Sequence, residues 1–503
     1  MKGKVLSCFT IVLLIVLLCV FAGCSSSKFP DVKLDIQADN LMKDAKIVGD
    51  NLTNKEISGR QNLLKEGSSY WTAINDGKSN VVQFKLNGSK TFNTAIISEI
   101  GDSVMYFRLD VFIGGNWKTI YSSEKMQERR IISFDSVATD SIRLVIEKFK
   151  KDTCKIKSFE LYNISNAKDN FNTTVYQRLD VDVPTEILKR SPEEIKTFAR
   201  YYDVYNTIII FDVVKWNEKG EMSFVGGEDN FAKQIKALKE IVKQKSNPHK
   251  VNIIITALAD GAGGDGHNGV NKLMSANHTR IAEQMVNKFI KPESEGGYDL
   301  DGLDIDWEYP QTKADWKCYD TFIQELDEKM TAVKESSIIS AALSAAALKM
   351  SKETMQRIDQ IQYMAYDDIN VDGYQSTLYY AQKGLQNFID KGANLSQINI
   401  GIPSYGRPID GGPYWPSWRY VNGQNMYFDS IYENVKCDKD VYMTSAFCSP
   451  ALAGDKTALA LFSGCGGIMV FRLACDKLMS DPNAVACGIE NTLRRYIPSW
   501  WRQ

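Results

Sequence analysis

The stretch with the clearest capacity for chemistry is YDLDGLDIDWEYP, Tyr298 to Pro310. Side chains alternate along a strand, so an extended conformation here puts Asp304, Asp306 and Glu308 on one face and Leu303, Ile305 and Trp307 on the other. Like charges this close disfavour ionisation. A proton shared between Asp304 and Asp306, with negative charge beside it, keeps Glu308 protonated near neutral pH and makes it a candidate general acid. Spacing alone also allows a solvent-facing or calcium-binding acidic run. His249, His267 and His278 have neither HExxH spacing nor a neighbouring ligand set, and no cysteine pair has CxxC spacing, so no metal site is expected. The glycines of Thr256–Gly269 are not followed by Gly-Lys-Ser/Thr and do not make a phosphate loop.

A strand with acids on one face needs a scaffold that buries the other. From Val175 onward, β-rich apolar runs alternate with helical patterns, as in βα units. The expected strands are Thr207–Val214, Val251–Leu258, Gly302–Trp307, Ile338–Ser344, Gln360–Tyr366, Gln397–Ile402 and Gly467–Leu473, with an earlier one near Tyr176–Val183. Together they predict an α/β (β/α)8 TIM barrel over residues 175–503, with no internal repeat. Between strands, Phe231, Ile235, Leu238 and Val242 share a helical face behind Asp229 as a cap, and Phe322, Leu326, Met330 and Val333 share another.

Residues 36–163 have a different texture. Short alternating runs, among them Val81–Leu86, Thr94–Glu99, Tyr106–Ile113 and Ser141–Ile146, are separated by Gly, Asn, Asp and Ser and predict an all-β sandwich. ISNAKDNFNTT, residues 164–174, is polar enough to be the interdomain linker. At the start, Lys2 and Lys4 precede an apolar run from Val5 to Val20, and Ala22 and Gly23 lead into Cys24. That run is short of the ~20 residues a membrane span prefers. At 503 residues, 44% hydrophobic and 11% aromatic, the chain can bury more than one core, and its formal net charge of −2 leaves no footprint for nucleic acid.

Several of these segments resemble known families. Residues 1–23 resemble a bacterial lipoprotein signal, in which the cysteine becomes the lipidated N-terminus; Phe21 stands where an aliphatic residue is usual. The resemblance implies a protein anchored outside the cytoplasm through Cys24 with 24–35 as a tether, the alternatives being plain secretion or a retained membrane helix. Losing Cys8 and Cys19 and lipidating Cys24 leaves seven of ten cysteines, an odd number that argues against a complete disulfide framework. Cys437 and Cys448 either pair or are two unrelated thiols. WTAINDGK (Trp71–Lys78), GGNWKTI (Gly114–Ile120), SIRLVI (Ser141–Ile146) and IKSFELYN (Ile156–Asn163) resemble the discoidin-like fold shared with carbohydrate-binding module family 32. That implies an eight-strand jelly roll binding a terminal sugar through its loops. Trp71 and Trp117 are then either sugar platforms or packing.

DGLDIDWEYP matches the D-G-x-D-x-D-x-E signature of glycoside hydrolase family 18, the chitinase-like family. MAYD (Met364–Asp367), IGIPSYGR (Ile400–Arg407) and GGIMVFRL (Gly466–Leu473) resemble its sixth-, seventh- and eighth-strand motifs in order. The resemblance implies that Glu308 protonates the leaving glycosidic oxygen and later acts as base on water. Asp306 would orient the substrate's 2-acetamido group with Asp304 behind it, and the acetamido carbonyl would attack the anomeric carbon with net retention. Tyr366 would hydrogen-bond the acetamido oxygen, and Met364, Asp367, Tyr405 and Arg407 would line sugar subsites, core packing being the competing reading for Met364. No cofactor is implied, because the substrate supplies the nucleophile. The implied partners are an N-acetylglucosamine-containing glycan and, through the lipid anchor, a membrane.

Two departures qualify the match. Phe471 stands where the family usually has Trp beneath the reacting sugar, and Thr256–Gly269 lacks a clean S-x-G-G loop. The segment between the seventh and eighth strands is too short for the large insertion that walls a deep cleft, which predicts an open groove edged by Trp415 and Trp418, unless these merely pack the loop. The tail from Tyr496 to Trp501 is expected to cap the barrel. Chitin or its oligomers, the diacetylchitobiose core of N-glycans, and a non-catalytic chitin-binding role remain the three readings of function.

Overall fold

The structure, a computed structural model, describes residues 32–497 apart from 50–57, 66–68, 127–128, 166–169, 180–188, 260–261, 263–265, 347 and 439. The expected leader, Cys24, most of the tether and the end of the tail lie outside the described residues, as does part of the Thr256–Gly269 loop.

Parallel strands Asn172–Gln177, Thr207–Ile210, Asn252–Ala259, Gly302–Asp306, Ile338–Leu343, Gln360–Tyr363, Ile398–Pro403 and Gly467–Phe471 close into an eight-stranded barrel in chain order. The eighth strand pairs with the first, Gly467 opposite Asn172. Their outward side chains, such as Ile208, Ile210, Ile253, Ile255, Leu303 and Ile305, join one core with the surrounding helices. Several of those helices start at side-chain caps that satisfy orphan N–H groups: Ser191 with Glu194 before Pro192–Ala199, Thr312 with Asp315 before Lys313–Val333, Thr377 before Leu378–Asp390, and Ser449 before Pro450–Phe462.

The expected boundaries need corrections. The first strand begins at Asn172 rather than near Tyr176, so the end of the supposed linker is barrel wall. Its polar residues are spent on fixed contacts: Asn206 brackets the strand entry, accepting from Thr173 N at 2.9 Å and donating to Phe171 O at 2.9 Å, while Thr173 Oγ1 donates to Val204 O at 2.6 Å. At the other end of that segment Asn93 holds Ile164 through both backbone groups. The second strand stops at Ile210; Asp212 at φ 59° turns the chain, and Val214–Trp216 pairs instead with Met222–Phe224 as a hairpin. Helix Glu228–Val242 starts at Gly227 without a side-chain cap, and Asp229 sits inside its first turn, where its charge favours the helix dipole. Val242 is only half-buried and Val333 is exposed, so each helical face is narrower than its spacing suggested.

Among the described residues, the N-terminal region is one antiparallel sheet of seven strands, in which Trp71–Ile74, Thr153–Tyr162, Asn80–Ile100, Arg129–Phe149, Val104–Ile113 and Asn116–Ser123 lie side by side and Lys46–Val48 also pairs with Asn80–Ile100. The runs Val81–Leu86 and Thr94–Glu99 belong to a single strand, Asn80–Ile100, whose register shifts between Lys85 and Lys90, where Gly88 has φ 80°. Phe84, Leu109, Leu144 and Phe159 are among the residues of its separate core. Trp71 is 5% exposed and belongs to that core rather than to a sugar platform. Trp117 packs on Phe112 at 5.4 Å with the Arg143 guanidinium 4.4 Å over its ring.

The sheet lies directly against the barrel's helices. Tyr121 and Arg130 each hydrogen-bond the buried Asp455 of helix Pro450–Phe462 at 2.7 Å. Arg495 of the last helix, Val485–Tyr496, meets Asp135 at 2.7 Å, and Tyr496 bonds Thr94. The tail thus packs between the two regions as far as Ile497.

Candidate active site

The fourth strand divides its side chains as alternation requires. Leu303, Ile305 and Trp307 enter the outer core, Trp307 donating from Nε1 to Asn271 at 2.9 Å. Asp304 points into the barrel and is fully buried, Asp306 is half-buried, and Glu308 lies half-buried just past the strand's C-terminal end.

The barrel interior around Asp304 is polar. Tyr176 and Thr256 donate to its Oδ2 at 3.0 and 2.8 Å, and Ser340 donates to Oδ1 at 2.6 Å. Gln362 donates to Ser340 at 3.1 Å, and Asn399 to Gln362 at 3.1 Å, so a chain of hydrogen bonds runs from the seventh strand to the carboxyl. Burial raises the Asp304 pKa above the usual carboxyl value, and the three hydroxyl donors only partly offset it. The apolar part of the interior is small: Tyr176, Ile209, Ile254 and Met469.

At the end of the sixth strand Met364 is half-buried, Tyr366 lies in the field of Asp306, Asp367 and Glu308, and burial together with those charges pushes its hydroxyl well above the ordinary tyrosine value. The adjacent seventh strand leaves room for it through Gly401, where a Cβ would stand 2.9 Å from the Tyr366 ring and 2.4 Å from Tyr363 O. Asp367, at φ 65°, accepts from Tyr405 OH at 2.7 Å and from Arg407 Nε at 2.8 Å. Tyr309 hydrogen-bonds Glu308, and burial, then that carboxylate, raise its pKa.

Phe471 is the centre of an aromatic cluster, with ring centroids at 5.3 Å to Phe211, 5.7 Å to Tyr176, 6.1 Å to Tyr366 and Tyr405, and 6.5 Å to Trp415. Trp415 is 44% exposed, stacks on Tyr405 at 4.5 Å and has the Arg407 guanidinium 3.9 Å over its ring, so it edges the site. Trp418 does not: it is fully buried, donates to Asn483 O at 2.7 Å and packs on Phe447 and Tyr432. Among the described residues, the segment between the last two strands carries, besides helix Pro450–Phe462, a small sheet of Arg407–Pro408, Ile431–Asp438 and Val441–Ala446. All seven cysteines of the described residues are free thiols, Cys437 lying 3.8 Å from Ser445 Oγ. Among the described residues no three His, Cys, Asp or Glu side chains converge to hold a metal ion.

The expected residues Asp306, Glu308, Tyr366, Asp367, Tyr405, Arg407 and Phe471 therefore belong to one end of the barrel, the C-terminal end of its strands, with Asp304 one layer deeper in the bore. Sequence reasoning missed Tyr176, Thr256 and Ser340, which hold Asp304, and Tyr309, which stood in view beside Glu308.

The profile of glycosyl hydrolases family 18 matches residues 203–476. An endochitinase of Manduca sexta is 28% identical over 178 residues, 30% of this chain and 31% of its own length. Chitinase 1 of Aphanocladium album is 26% identical over 227 residues, 36% of this chain and 53% of its own. The matches thus span about a third and about half of these relatives. Among solved structures, the GH18 chitinase ChiB from the chitin utilization locus of Flavobacterium johnsoniae aligns over 65% of this chain and 96% of its own at a TM-score of 0.47 and 17% identity. A chitinase from Bacteroides thetaiotaomicron aligns over 65% and 97% at 0.47 and 15%.

Proposed function

The chain belongs to glycosyl hydrolases family 18, and on that premise we propose that it is a chitinase-like, retaining hydrolase of β-1,4-linked N-acetylglucosamine that works by substrate-assisted catalysis. The observation that carries this reading is the fourth strand: a buried Asp304 with raised pKa, Asp306 next on the same face, and Glu308 at the open end in contact with Tyr309.

In this mechanism Glu308 gives its proton to the glycosidic oxygen as the bond to the anomeric carbon breaks. The 2-acetamido carbonyl oxygen attacks the same carbon, forming a cyclic oxazolinium ion. Asp306 stabilises the positive acetamido nitrogen, and Tyr366 donates a hydrogen bond to the acetamido oxygen. Glu308, now ionised, takes a proton from water, which attacks the anomeric carbon and restores the acetamide. Asp304 keeps Asp306 supplied with a shared proton. Its high pKa suits it to hold that proton while Glu308 cycles. Phe471 and Trp415 offer aromatic faces to sugar rings, the buried Tyr405 backs Trp415 by stacking on it at 4.5 Å, and Asp367 and Arg407 offer polar groups to their hydroxyls.

The N-terminal region completes the reading as a discoidin-like, sugar-binding domain, with Cys24 lipidated so that the enzyme sits at a membrane outside the cytoplasm. The test is mass spectrometry of products from wild type and Glu308→Gln incubated with chitin oligomers and with an N-glycosylated protein. The variant is expected to lose on the order of 10²–10⁴ in rate while folding normally. Cleavage of chitin oligomers supports the chitinase reading. Cleavage of the N-glycan core alone replaces it with an endo-β-N-acetylglucosaminidase, and binding without cleavage replaces it with a lectin.

A further inference from the structure

Between the sixth strand and helix Leu378–Asp390 the chain forms a small hairpin. Ile369 bridges Gln375, Asn370 N donates to Tyr374 O at 2.9 Å, Ser376 N donates to Asp368 O at 3.0 Å, and Asp372 is at the tip. Two side chains of the N-terminal domain grip that tip: Lys125 bonds one Asp372 oxygen and Lys150 the other. Lys125 is 1% exposed, also meets Asp102 at 3.1 Å, and lies 4.9 Å over the Tyr374 ring. Burial tends to raise the Asp372 pKa, yet the two lysine hydrogen bonds outweigh it and the net shift is downward, which keeps the carboxylate charged.

The base of the same hairpin holds sugar-contact residues. Asp367, immediately before it, anchors Tyr405 OH and Arg407, and Gln375, within it, donates to Tyr405 O at 3.0 Å. From the barrel side, the buried Lys456 donates to Ala365 O at 3.1 Å, Ser376 Oγ at 3.0 Å and Gly401 O at 3.1 Å. The hairpin is thus clamped at its base by the barrel and at its tip by the other domain.

We infer that Lys125 and Lys150 are positioning residues for the saccharide site, acting through Asp372 to fix Asp367, Tyr405 and Arg407. The N-terminal domain then completes the substrate-binding wall and does more than concentrate the enzyme on glycans. This rests on the proposed sugar contacts of Asp367 and Arg407, which the buried Tyr405 supports from behind, so the test separates the two.

In the full-length protein, amide hydrogen exchange across residues 368–377 is compared for wild type, Asp372→Asn, Lys150→Met and Lys125→Arg, alongside hydrolysis of an N-acetylglucosamine oligomer carrying a chromogenic leaving group. Asp372→Asn and Lys150→Met are expected to speed exchange in the hairpin by about tenfold or more. They should also raise KM roughly fivefold to tenfold with kcat within about twofold, as lost uniform binding does. Lys125→Arg keeps the charge and should stay near wild type. Arg495→Ala breaks an interdomain ion pair away from the hairpin and should leave KM unchanged. Unaltered exchange in the folded Asp372→Asn and Lys150→Met proteins overturns the clamp, whatever the enzyme cleaves. An equal rise of KM in Arg495→Ala also overturns it, because the effect would then belong to domain packing in general. Asp367→Ala isolates the premise: accelerated exchange in Asp372→Asn with no KM change in Asp367→Ala upholds the clamp and removes the assigned sugar contact.

Discussion

The wall of the barrel and its bore use the same eight strands for opposite ends. Outward side chains such as Leu303 and Ile305 are aliphatic and feed one continuous core with the helices. The inward ones around Asp304 are Tyr176, Thr256, Ser340, Gln362 and Asn399, joined by hydrogen bonds, and the Tyr176 ring also packs with the buried Ile209, Ile254 and Met469. Stability therefore resides in the wall, where burial of apolar area dominates. The bore can carry polar groups that would be costly unless each is hydrogen-bonded. A single strand serves both purposes because its period of two keeps them apart.

The largest expected contrast lies in two tryptophans three residues apart. Trp418→Ala empties a fully buried position and should cost about 3–5 kcal/mol of stability. Trp415→Ala, at an exposed ring on the rim, should leave the melting temperature within a few degrees and raise KM. Thermal melts and kinetics on both variants check this, and a KM effect without a stability loss in Trp418→Ala would break the distinction. Next, Ile305→Ala should lose about 2–5 kcal/mol, whereas Asp304→Asn should lose activity with a far smaller change in chemical denaturation. Equal stability losses would mean that the bore, too, holds the fold together.

The smallest effect comes from the N-terminal sheet, where Glu99 is buried as Asp304 is but stands outside the barrel. Burial raises its pKa from 4.5 to about 7. A folded-state value above the unfolded one means that the stabilisation is full below pH 4.5 and is lost as pH rises through 7. That amounts to roughly 2–3 kcal/mol between those limits. Melting temperature should therefore fall from pH 5 to pH 8, and Glu99→Gln should flatten the slope. An unchanged slope in that variant removes Glu99 as its source.

Much of the barrel was legible because βα alternation is a local pattern, and the acids of the fourth strand because their period of two is visible within seven residues. The partners of Asp304 were not. Tyr176, Thr256 and Ser340 stand on three other strands and converge only when the barrel closes. The first strand was hidden further by its own polarity, since Asn172, Thr173 and Thr174 have a linker's composition and reveal their role only through Asn206 and Gly466. Trp415 and Trp418 share a loop and a residue type, so nothing local told rim from core. Contacts between the two regions were equally opaque, Arg130 and Asp455 being 325 residues apart.

That last pair bears on descent as well as on structure. Domains can be exchanged between genes when a loose joint separates them. Here, losing either Arg130 or Asp455 leaves a buried charge without its counterpart, a defect that costs about 3–5 kcal/mol in comparable settings. Recombination that swapped one half for an unrelated neighbour would have to replace both residues at once. The two halves are thus expected to be inherited together, with positions 121, 130 and 455 changing in concert among descendants.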